Sequence, residues 1–294
     1  MSLVTRRALC GSLLATALPL SLPLPAHAAD ETEARLRALE TGTGGRLGIS
    51  VAGEGIVPLA YRGDEGFPMC STFKALATAA VLARVDAGAE RLERSLTVQE
   101  ADLLSYAPVS RKALVERGGR MSVADLCAAS MEWSDNTAAN LQLSLLGGPA
   151  GLTQWVRGLG DAVTRLDRTE PTLNTAIPDD PRDTTTPLAM RGTLARILLG
   201  AALTPVSRQR LEGWMVGAQT GFKRLRAGLP PDWIVGDKTG SGDNGTYNTV
   251  AILRPPGRAP LVAAIYLTGA RAPQAACEAA HAEVGRLIAR HVGL

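Results

Sequence analysis

The order of strand-like and helical segments is the feature that most restricts how this chain can fold. Five strand-like segments lie near the two ends of the chain: residues 47–52, 57–61, 233–238, 247–254 and 261–268. Helical patterns occur at 30–39 and 273–290, and they also occupy most of the stretch between the two groups of strands. Strands joined by short turns pair antiparallel. The pattern therefore predicts an α+β sandwich, in which a mostly antiparallel five-stranded sheet is flanked by the terminal helices.

The same pattern predicts three parts of the chain. Residues 1–29 indicate a leader, and residues 30–64 together with 219–294 are predicted to form a sheet-and-helix region. Residues 65–218 are predicted to form a helical region. The roughly 265 residues after the leader can bury a large core.

Residues 1–29 have the features of an export signal. Arg6-Arg7 form a basic start, residues 9–24 are mostly apolar, and Ala26-His27-Ala28 matches an A-x-A cleavage site. The apolar stretch is broken by prolines and is shorter than the roughly 20 residues that a membrane anchor needs. Thr5-Arg6-Arg7 also fits the twin-arginine route. We therefore expect a periplasmic or secreted protein with no membrane attachment after cleavage.

Charge and histidine content exclude several classes of function. Removing the leader leaves 29 of the 31 basic residues against 28 acidic ones, and a nearly neutral chain does not favour nucleic acid as a partner. No metal-ligand spacing of the H-E-x-x-H or C-x-x-C kind occurs, so neither a metal nor another cofactor is expected. The three histidines lie in the leader and in the last helical segment, which leaves little for a Ser-His-Asp triad. A monomer is expected.

The chain has only four lysines, and one of them lies in the motif Ser71-Thr72-Phe73-Lys74. The motif begins a helical pattern, residues 71–87, that is apolar on nearly every side and is therefore buried. Side chains three residues apart share a helix face, so a desolvated Lys74 with a lowered pKa could accept the proton of Ser71. The free N–H groups of the helix start could stabilise an oxyanion. The alternative is a serine N-cap followed by an ordinary lysine.

Two further motifs lie downstream. Ser134-Asp135-Asn136 falls between two helical segments, where Ser134 or Asp135 could simply cap the second helix. Lys238-Thr239-Gly240 ends a predicted strand, where a lysine and a hydroxyl suit an anionic substrate group and Gly240 permits close approach of a ligand. Residues 240–245 match the dinucleotide fingerprint G-x-G-x-x-G, but a strand follows them instead of a helix. We therefore interpret these residues as a hairpin turn.

Residues 168–183 interrupt the helical pattern and contain three prolines. The segment is predicted to be a long ordered loop, and such loops in compact domains are often functional. It carries Glu170.

The order S-x-x-K, S-D-N, K-T-G resembles that of the class A serine β-lactamases. The resemblance covers essentially the whole chain after the leader, and its matching segments are 69–74, Tyr106, 134–140, 168–174, 182–185 and 237–242. It implies the β-lactamase and penicillin-binding fold, with hydrolysis of the β-lactam amide of penicillins and cephalosporins and resistance to these drugs. A β-lactam is the small-molecule partner that it implies.

The resemblance also implies a role for each matching residue. Ser71 would be the nucleophile, and Lys74 and Glu170 would share its activation, with the acylation base left open. Ser134 would relay a proton to the departing nitrogen, and Glu170 with Asn174 would hold the deacylating water. The oxyanion hole would be formed by the backbone N–H groups of Ser71 and Ser241.

Further residues would bind the substrate or shape the site. The drug's carboxylate would meet Lys238, Thr239 and Ser241, with Arg224 replacing an arginine that some relatives carry where this chain has Tyr247. Asn136 would contact the drug's side-chain amide and Tyr106 would line the rim. Arg168 and Asp183 would form the ion pair that closes the omega loop carrying Glu170; the alternative is a surface pair of little energetic value.

Three cysteines remain after the leader: Cys70, Cys127 and Cys277. At most one pair could form, and the sequence does not select it. Cys70 beside the serine could be a nucleophile, but a small buried side chain is the favoured interpretation. Carbapenem-hydrolysing relatives pair this cysteine with one on the late strand, where this chain has Gly242, so that disulfide is not expected.

Two other functions share part of this pattern. A D-alanyl-D-alanine peptidase has S-x-x-K and K-T-G, and a β-lactam sensor becomes acylated and stays so. Glu170 in its proline-bearing loop favours the hydrolase, because rapid deacylation needs a base that activates water. A sensor would usually be tethered to a membrane, and no spanning segment is predicted.

Overall fold

The computed structural model describes residues 26–293, with side chains from residue 31 onward. Its strands are β1 (Arg46–Gly53), β2 (Leu59–Tyr61), β3 (Phe67–Pro68), β4 (Ser95–Thr97), β5 (Arg120–Ser122), β6 (Thr184–Thr185), β7 (Ile234–Gly242), β8 (Thr246–Arg254) and β9 (Leu261–Thr268). Its helices are α1 (Ala26–Thr43), α2 (Phe73–Asp86), α3 (Pro108–Arg117), α4 (Val123–Glu132), α5 (Asn136–Leu145), α6 (Gly148–Gly158), α7 (Pro187–Leu198), α8 (Pro205–Val216) and α9 (Gln274–His291). Short 3-10 turns lie at Cys70–Thr72, Glu100–Asp102, Thr172–Thr175 and Leu225–Gly228.

The central sheet has five strands in the order β2-β1-β9-β8-β7, and every neighbouring pair is antiparallel. Strands from both ends of the chain therefore meet in one sheet, as the sequence pattern predicts. The α+β fold is confirmed.

The sheet separates two apolar cores, and the alternation of side chains along β8 and β9 shows why. Val250, Ile252 and Tyr266 belong to the core shared with α2, α7 and α8. Ala251 and Leu253 belong to the core shared with α1 and α9. Successive strand residues point to opposite faces of the sheet, and each face is covered by one of the two cores. Both strands are therefore buried along almost their whole length.

Helix α2 lies at the centre of the larger core. Its residues from Phe73 to Leu82 are all buried, as expected for a helix that is apolar on nearly every side. Helices α4, α5, α6 and α8 contact it. A charged side chain on this helix is consequently held away from water.

The structure corrects two predicted boundaries. The helix predicted from residue 71 begins as a 3-10 turn at Cys70–Thr72, and the α-helix starts at Phe73. The strand predicted to end at Lys238 continues to Gly242, because Gly240 and Ser241 still pair with Asn248 and Tyr247 on β8. The hairpin turn is therefore confined to residues 243–245.

The division into two regions stays a prediction. The predicted leader, apart from residues 26–29, lies outside the described residues. Among the helices of residues 26–293, none combines the length and apolar character that crossing a bilayer requires.

Candidate active site

The Ser71 hydroxyl is presented by a tight turn at the start of the central helix. Cys70 has a φ of +46°, and the Thr72 hydroxyl donates to the Met69 carbonyl at 2.8 Å. From β8, the Asn248 side-chain amide donates to the carbonyls of Pro68 (2.9 Å) and Met69 (3.1 Å). These bonds fix the turn, and Ser71 is left 8% exposed.

Lys74 follows one helical turn later and is completely buried. Its ammonium group lies 2.9 Å from Glu170 Oε1, 2.6 Å from Asn136 Oδ1 and 2.8 Å from the Ser134 carbonyl. Burial lowers the pKa of Lys74, and the charge of Glu170 opposes that shift. The amine is therefore closer to its neutral form than an exposed lysine, yet it is surrounded by acceptors.

Ser134 lies between two lysines. Its hydroxyl accepts hydrogen bonds from Lys74 Nζ at 3.3 Å and from Lys238 Nζ at 3.0 Å. Ser134 has a φ of +58° at the junction of α4 and α5. The helix cap that the sequence allowed for either residue is Asp135, whose Oδ1 accepts from the Ala138 N–H at 2.9 Å. The hydroxyl of Ser134 is thus left to face the site.

Glu170 brings a carboxylate to both Ser71 and Lys74. The Ser71 hydroxyl donates to Glu170 Oε1 at 3.2 Å, and the other carboxylate oxygen, Oε2, accepts a hydrogen bond from the Asn174 amide. Asn140 on α5 holds the backbone of Glu170 with two bonds of 2.9 Å, one to its N–H and one to its carbonyl. Oδ1 of Asn174 is a buried acceptor without a partner among the described residues.

The loop that carries Glu170 is closed at its base by buried charge. Arg168 Nε lies 2.5 Å from Asp183 Oδ2, and Asp183 Oδ1 accepts from the N–H groups of Asp167 and Arg168 at 2.7 and 2.9 Å. Asp183 is fully buried, so this contact differs from an exposed surface pair. The carbonyl of Asp183 also accepts from the Met69 N–H at 2.8 Å, which connects the loop to the turn that presents Ser71.

Strand β7 forms another wall of the site, beside Ser71 and Ser134. Lys238 is fully buried, and its ammonium group donates to Ser134 and to the Thr239 carbonyl. Burial, with the charge of Lys74 adding to it, holds the pKa of Lys238 well below its usual range. A Cβ atom on Gly240 would lie 2.8 Å from the Met69 carbonyl oxygen and 3.2 Å from the Ser71 nitrogen. Only glycine lets the strand come this close to the turn that presents Ser71.

Arg224 is a buried cation at the same wall. Its guanidinium donates to the Ser241 hydroxyl at 2.6 Å and to the carbonyls of Gly240 (3.0 Å) and Asn248 (3.1 Å). Its side chain forms no ion pair with a carboxylate in the part of the chain that the structure describes. Burial lowers the pKa of Arg224, but a guanidinium stays protonated in proteins. The positive charge is therefore available to an anion bound at Ser241.

These groups surround one cleft of about 420 Å³. Its lining comprises Ser71, Tyr106, Ser134, Asn136, Asn174, Thr220, Gly221, Arg224, Thr239, Ser241 and Glu278. Tyr106 is half exposed at the rim. Lys74, Glu170, Lys238 and Gly240 lie directly behind these residues, so the structure brings together the predicted catalytic and binding residues. The predicted loop pair, Arg168 and Asp183, lies at the base of the loop outside the cleft.

Several residues of the site did not emerge from the sequence as functional. Asn140, Asn248, Thr220 and Glu278 have side chains common on any surface or helix, and no local spacing distinguishes them. Asn140 falls at the end of the matching segment 134–140, which was the one available signal. Their roles depend on contacts with residues far away in the chain.

One histidine and three cysteines, which could also have been reactive, do not line the cleft. His281 is fully buried; its Nε2–H donates to the Tyr247 carbonyl at 3.1 Å and its Nδ1 accepts from the Thr249 hydroxyl at 3.2 Å. Cys70, Cys127 and Cys277 are buried free thiols, and burial raises the pKa of Cys70. In residues 26–293, no cluster of three or more His, Cys, Asp or Glu side chains has the geometry to hold a metal ion.

Comparison with known proteins is consistent with this geometry. The model of the β-lactamase enzyme family matches residues 31–292. The chain is 48% identical over 249 residues to β-lactamase CTX-M-8 of Citrobacter amalonaticus, covering 84% of each chain. It is 46% identical over 260 residues to β-lactamase OXY-2 of Klebsiella oxytoca, covering 87% of this chain and 89% of the relative.

Solved structures show the same likeness. An ancestral class A β-lactamase shares 57% of its sequence with this chain at a TM-score of 0.85, covering 88% of this chain and 99% of its own. A putative class A β-lactamase, PenP of Rhodopseudomonas palustris, shares 49% at a TM-score of 0.86, covering 89% and 99%. This chain therefore belongs to the β-lactamase enzyme family, and within it to the class A serine β-lactamases.

Proposed function

We propose that this β-lactamase opens the β-lactam amide of penicillins and cephalosporins through an acyl-enzyme on Ser71. The Ser71 oxygen attacks the lactam carbonyl carbon while its proton passes to the unit formed by Glu170 and Lys74. The Ser71 hydroxyl and the Lys74 ammonium group contact the same carboxylate oxygen, Glu170 Oε1. The carbonyl oxygen becomes negative and is stabilised by the backbone N–H groups of Ser71 and Ser241. The C–N bond then breaks, and Ser134 delivers a proton to the departing nitrogen. Ser134 takes a proton back from Lys74, whose Nζ lies 3.3 Å from its hydroxyl, so the proton removed from Ser71 leaves the Glu170–Lys74 unit.

Substrate binding uses the positive wall of the cleft. Thr239 and Ser241 offer hydroxyl groups to the drug's carboxylate, and Lys238 and Arg224 supply positive charge behind them. Gly240 keeps the strand close enough to the nucleophile for this arrangement.

On the side of the cleft away from that wall, Asn136 would bind the drug's side-chain amide and Tyr106 would pack against its body at the rim. This binding would place the lactam carbonyl over the Ser71 oxygen.

Deacylation uses the carboxylate of Glu170 and the amide of Asn174. Glu170 accepts a proton from a water molecule, whose oxygen attacks the ester carbon. The bond between that carbon and the Ser71 oxygen then breaks, and the proton held by Glu170 passes to the Ser71 oxygen, which releases the hydrolysed drug and restores the hydroxyl. The unpartnered Oδ1 of Asn174 is a buried acceptor beside this carboxylate and could orient such a water.

One observation carries the proposal: the Glu170 carboxylate lies 3.2 Å from the Ser71 oxygen, and both side chains are buried. A D-alanyl-D-alanine peptidase or a β-lactam sensor would not need a loop-borne carboxylate within reach of its acyl ester. Neither alternative is favoured.

Three further statements belong to the proposal. The basic start, apolar stretch and A-x-A site of residues 1–29 support export to the periplasm or the medium. We propose a monomer that needs no cofactor. We also propose that the sheet-and-helix region (30–64 and 219–294) and the helical region (65–218) form the two walls of the cleft.

Glu170→Gln tests the mechanism. The variant keeps the shape of the side chain but removes the base, so acylation should proceed and hydrolysis of the ester should slow. Intact mass spectrometry after mixing with a cephalosporin should show a persistent adduct on the variant and none on the wild type. Glu93→Gln, a change at an exposed site, is the control. Rapid return of Glu170→Gln to the unmodified mass would contradict the proposal.

A further inference from the structure

The turn between β7 and β8 is bonded to the loop that carries Glu170. The Asp243 N–H donates to the Asn174 carbonyl at 2.8 Å. The Asn244 side-chain amide donates to the carbonyls of Thr175 at 2.9 Å and Ala176 at 3.3 Å. Three successive loop carbonyls therefore accept hydrogen bonds from two successive turn residues.

Asn244 has an ordinary role in the turn as well. It has a φ of +51° and Gly245 has a φ of +60°, and asparagine and glycine are the residues that most readily adopt positive φ in turns. That role needs only a residue that tolerates this backbone conformation. It does not require the side chain to reach across to another loop, so the two bonds to Thr175 and Ala176 need a separate explanation.

The bonded carbonyls belong to the part of the loop that determines where Asn174 lies. Residues 172–175 form a 3-10 turn, and Ala176 ends it with a φ of +45°. Arg168 holds the same turn from the other side, because its Nη1 donates to the Thr175 hydroxyl at 3.0 Å. The turn is thus held from two sides, and Asn174 within it donates to the carboxylate of Glu170.

We infer that Asn244 is a positioning residue for deacylation. Its amide holds the carbonyls of Thr175 and Ala176, directly after Asn174, so that Asn174 and Glu170 keep the orientation in which they activate water against the Ser71 ester. Acylation depends less on this contact, because Asn140 and Lys74 hold Glu170 on the side facing Ser71. This inference rests on the proposed function.

Asn244→Gly separates the two roles of the residue, since glycine adopts positive φ freely but has no amide. The loss of a partly exposed hydrogen bond pair predicts a deacylation rate constant lower by roughly three- to ten-fold. The substrate should be a cephalosporin on which the wild type accumulates acyl-enzyme. On it, kcat and KM should fall by the same factor while kcat/KM is unchanged, because kcat/KM reports only the steps up to acylation. Quenched mass spectrometry should show a larger steady-state acylated fraction.

Asn244→Asp adds a second test, because it keeps the side-chain shape but turns a carboxylate towards two carbonyl oxygens. Its deacylation should be at least as slow as that of Asn244→Gly. Glu54→Ala, in the exposed turn between β1 and β2, is the control and should leave both constants unchanged. A thermal unfolding curve for each variant reports on folding separately.

The double variant Glu170→Gln/Asn244→Gly distinguishes this inference from the function on which it rests. If Asn244 acts through Glu170, the double variant should deacylate at the rate of Glu170→Gln alone. Wild-type deacylation in Asn244→Gly, or a fall in kcat with KM unchanged, would overturn the role of Asn244. Failure of Glu170→Gln itself to trap an adduct would overturn the proposed function instead.

Discussion

Arg224 provides a quantitative test of how the cleft selects its substrate. Arg224 is 6% exposed, and each of the three acceptors of its guanidinium is a neutral oxygen. A substrate carboxylate that bonds to the Ser241 hydroxyl would lie about two hydrogen-bond lengths, or roughly 5 Å, from the guanidinium. At an effective dielectric constant of about 20, that separation gives an attraction of about 3 kcal/mol.

Arg224→Gln should therefore lose about 2–3 kcal/mol of transition-state stabilisation, which is roughly 30- to 150-fold in kcat/KM. Glutamine can still donate a hydrogen bond to the carbonyl of Gly240 or Asn248, so the decrease in kcat/KM should reflect mainly the loss of the positive charge. Arg224→Lys should retain much of the activity, because lysine keeps the positive charge. It should not retain all of it, because lysine lacks the planar guanidinium that bonds to several acceptors at once.

The substrate offers a matched control. The assay follows hydrolysis of one cephalosporin as its free acid and as its methyl ester, with wild type and Arg224→Gln. The variant should be impaired on the acid only, because the ester has no charge for Arg224 to meet. An equal loss on acid and ester, or no loss on the acid, would refute the reasoning and assign Arg224 to holding Gly240 and Asn248 in place.

Two further predictions concern stability. His281 stays neutral when folded, because burial lowers its pKa from 6.5 to about 3, so below pH 6.5 only the unfolded chain takes up this proton. Stability should fall by about 1.4 kcal/mol per pH unit as the pH drops from 6.5 towards 3. In His281→Asn this contribution to the pH dependence of the unfolding free energy should be absent, which urea unfolding at pH 4, 5 and 6 would measure against the wild type. The variant should keep its activity at pH 7. Lost activity with an intact fold would contradict a purely structural histidine. Arg226→Met should cost about 3 kcal/mol in unfolding free energy, because Arg226 lies 2.7 Å from the fully buried Asp237 and its loss removes the ion-pair partner of that carboxylate. A change below about 1 kcal/mol would show that Asp237 is already neutral when folded.

Much of the fold could be predicted because it depends on local pattern. The alternation along residues 247–254 and 261–268 predicts strands that the structure contains with nearly the same bounds. The apolar surface on all sides of residues 71–87 predicts a buried helix, and α2 is one. A predicted boundary was wrong where pairing with another strand decides it. Strand β7 continues to Gly242 because β8 pairs with it there, although glycine weakens a strand.

The motifs predict which side chains are reactive, because this chemistry is a property of residue type and spacing. A serine three residues before a lysine on an apolar helix, and a glutamate in a proline-bearing loop, already specify which groups can react. The positions of these side chains relative to one another could not be predicted from residue type and spacing. Ser71 and Glu170 are separated by 99 residues, and their 3.2 Å contact exists only once Asn140, Asn248 and the Arg168–Asp183 pair hold two loops against one helix. Burial of Lys74, and hence its altered proton affinity, likewise arises from packing, since desolvation depends on every element that closes around the amine.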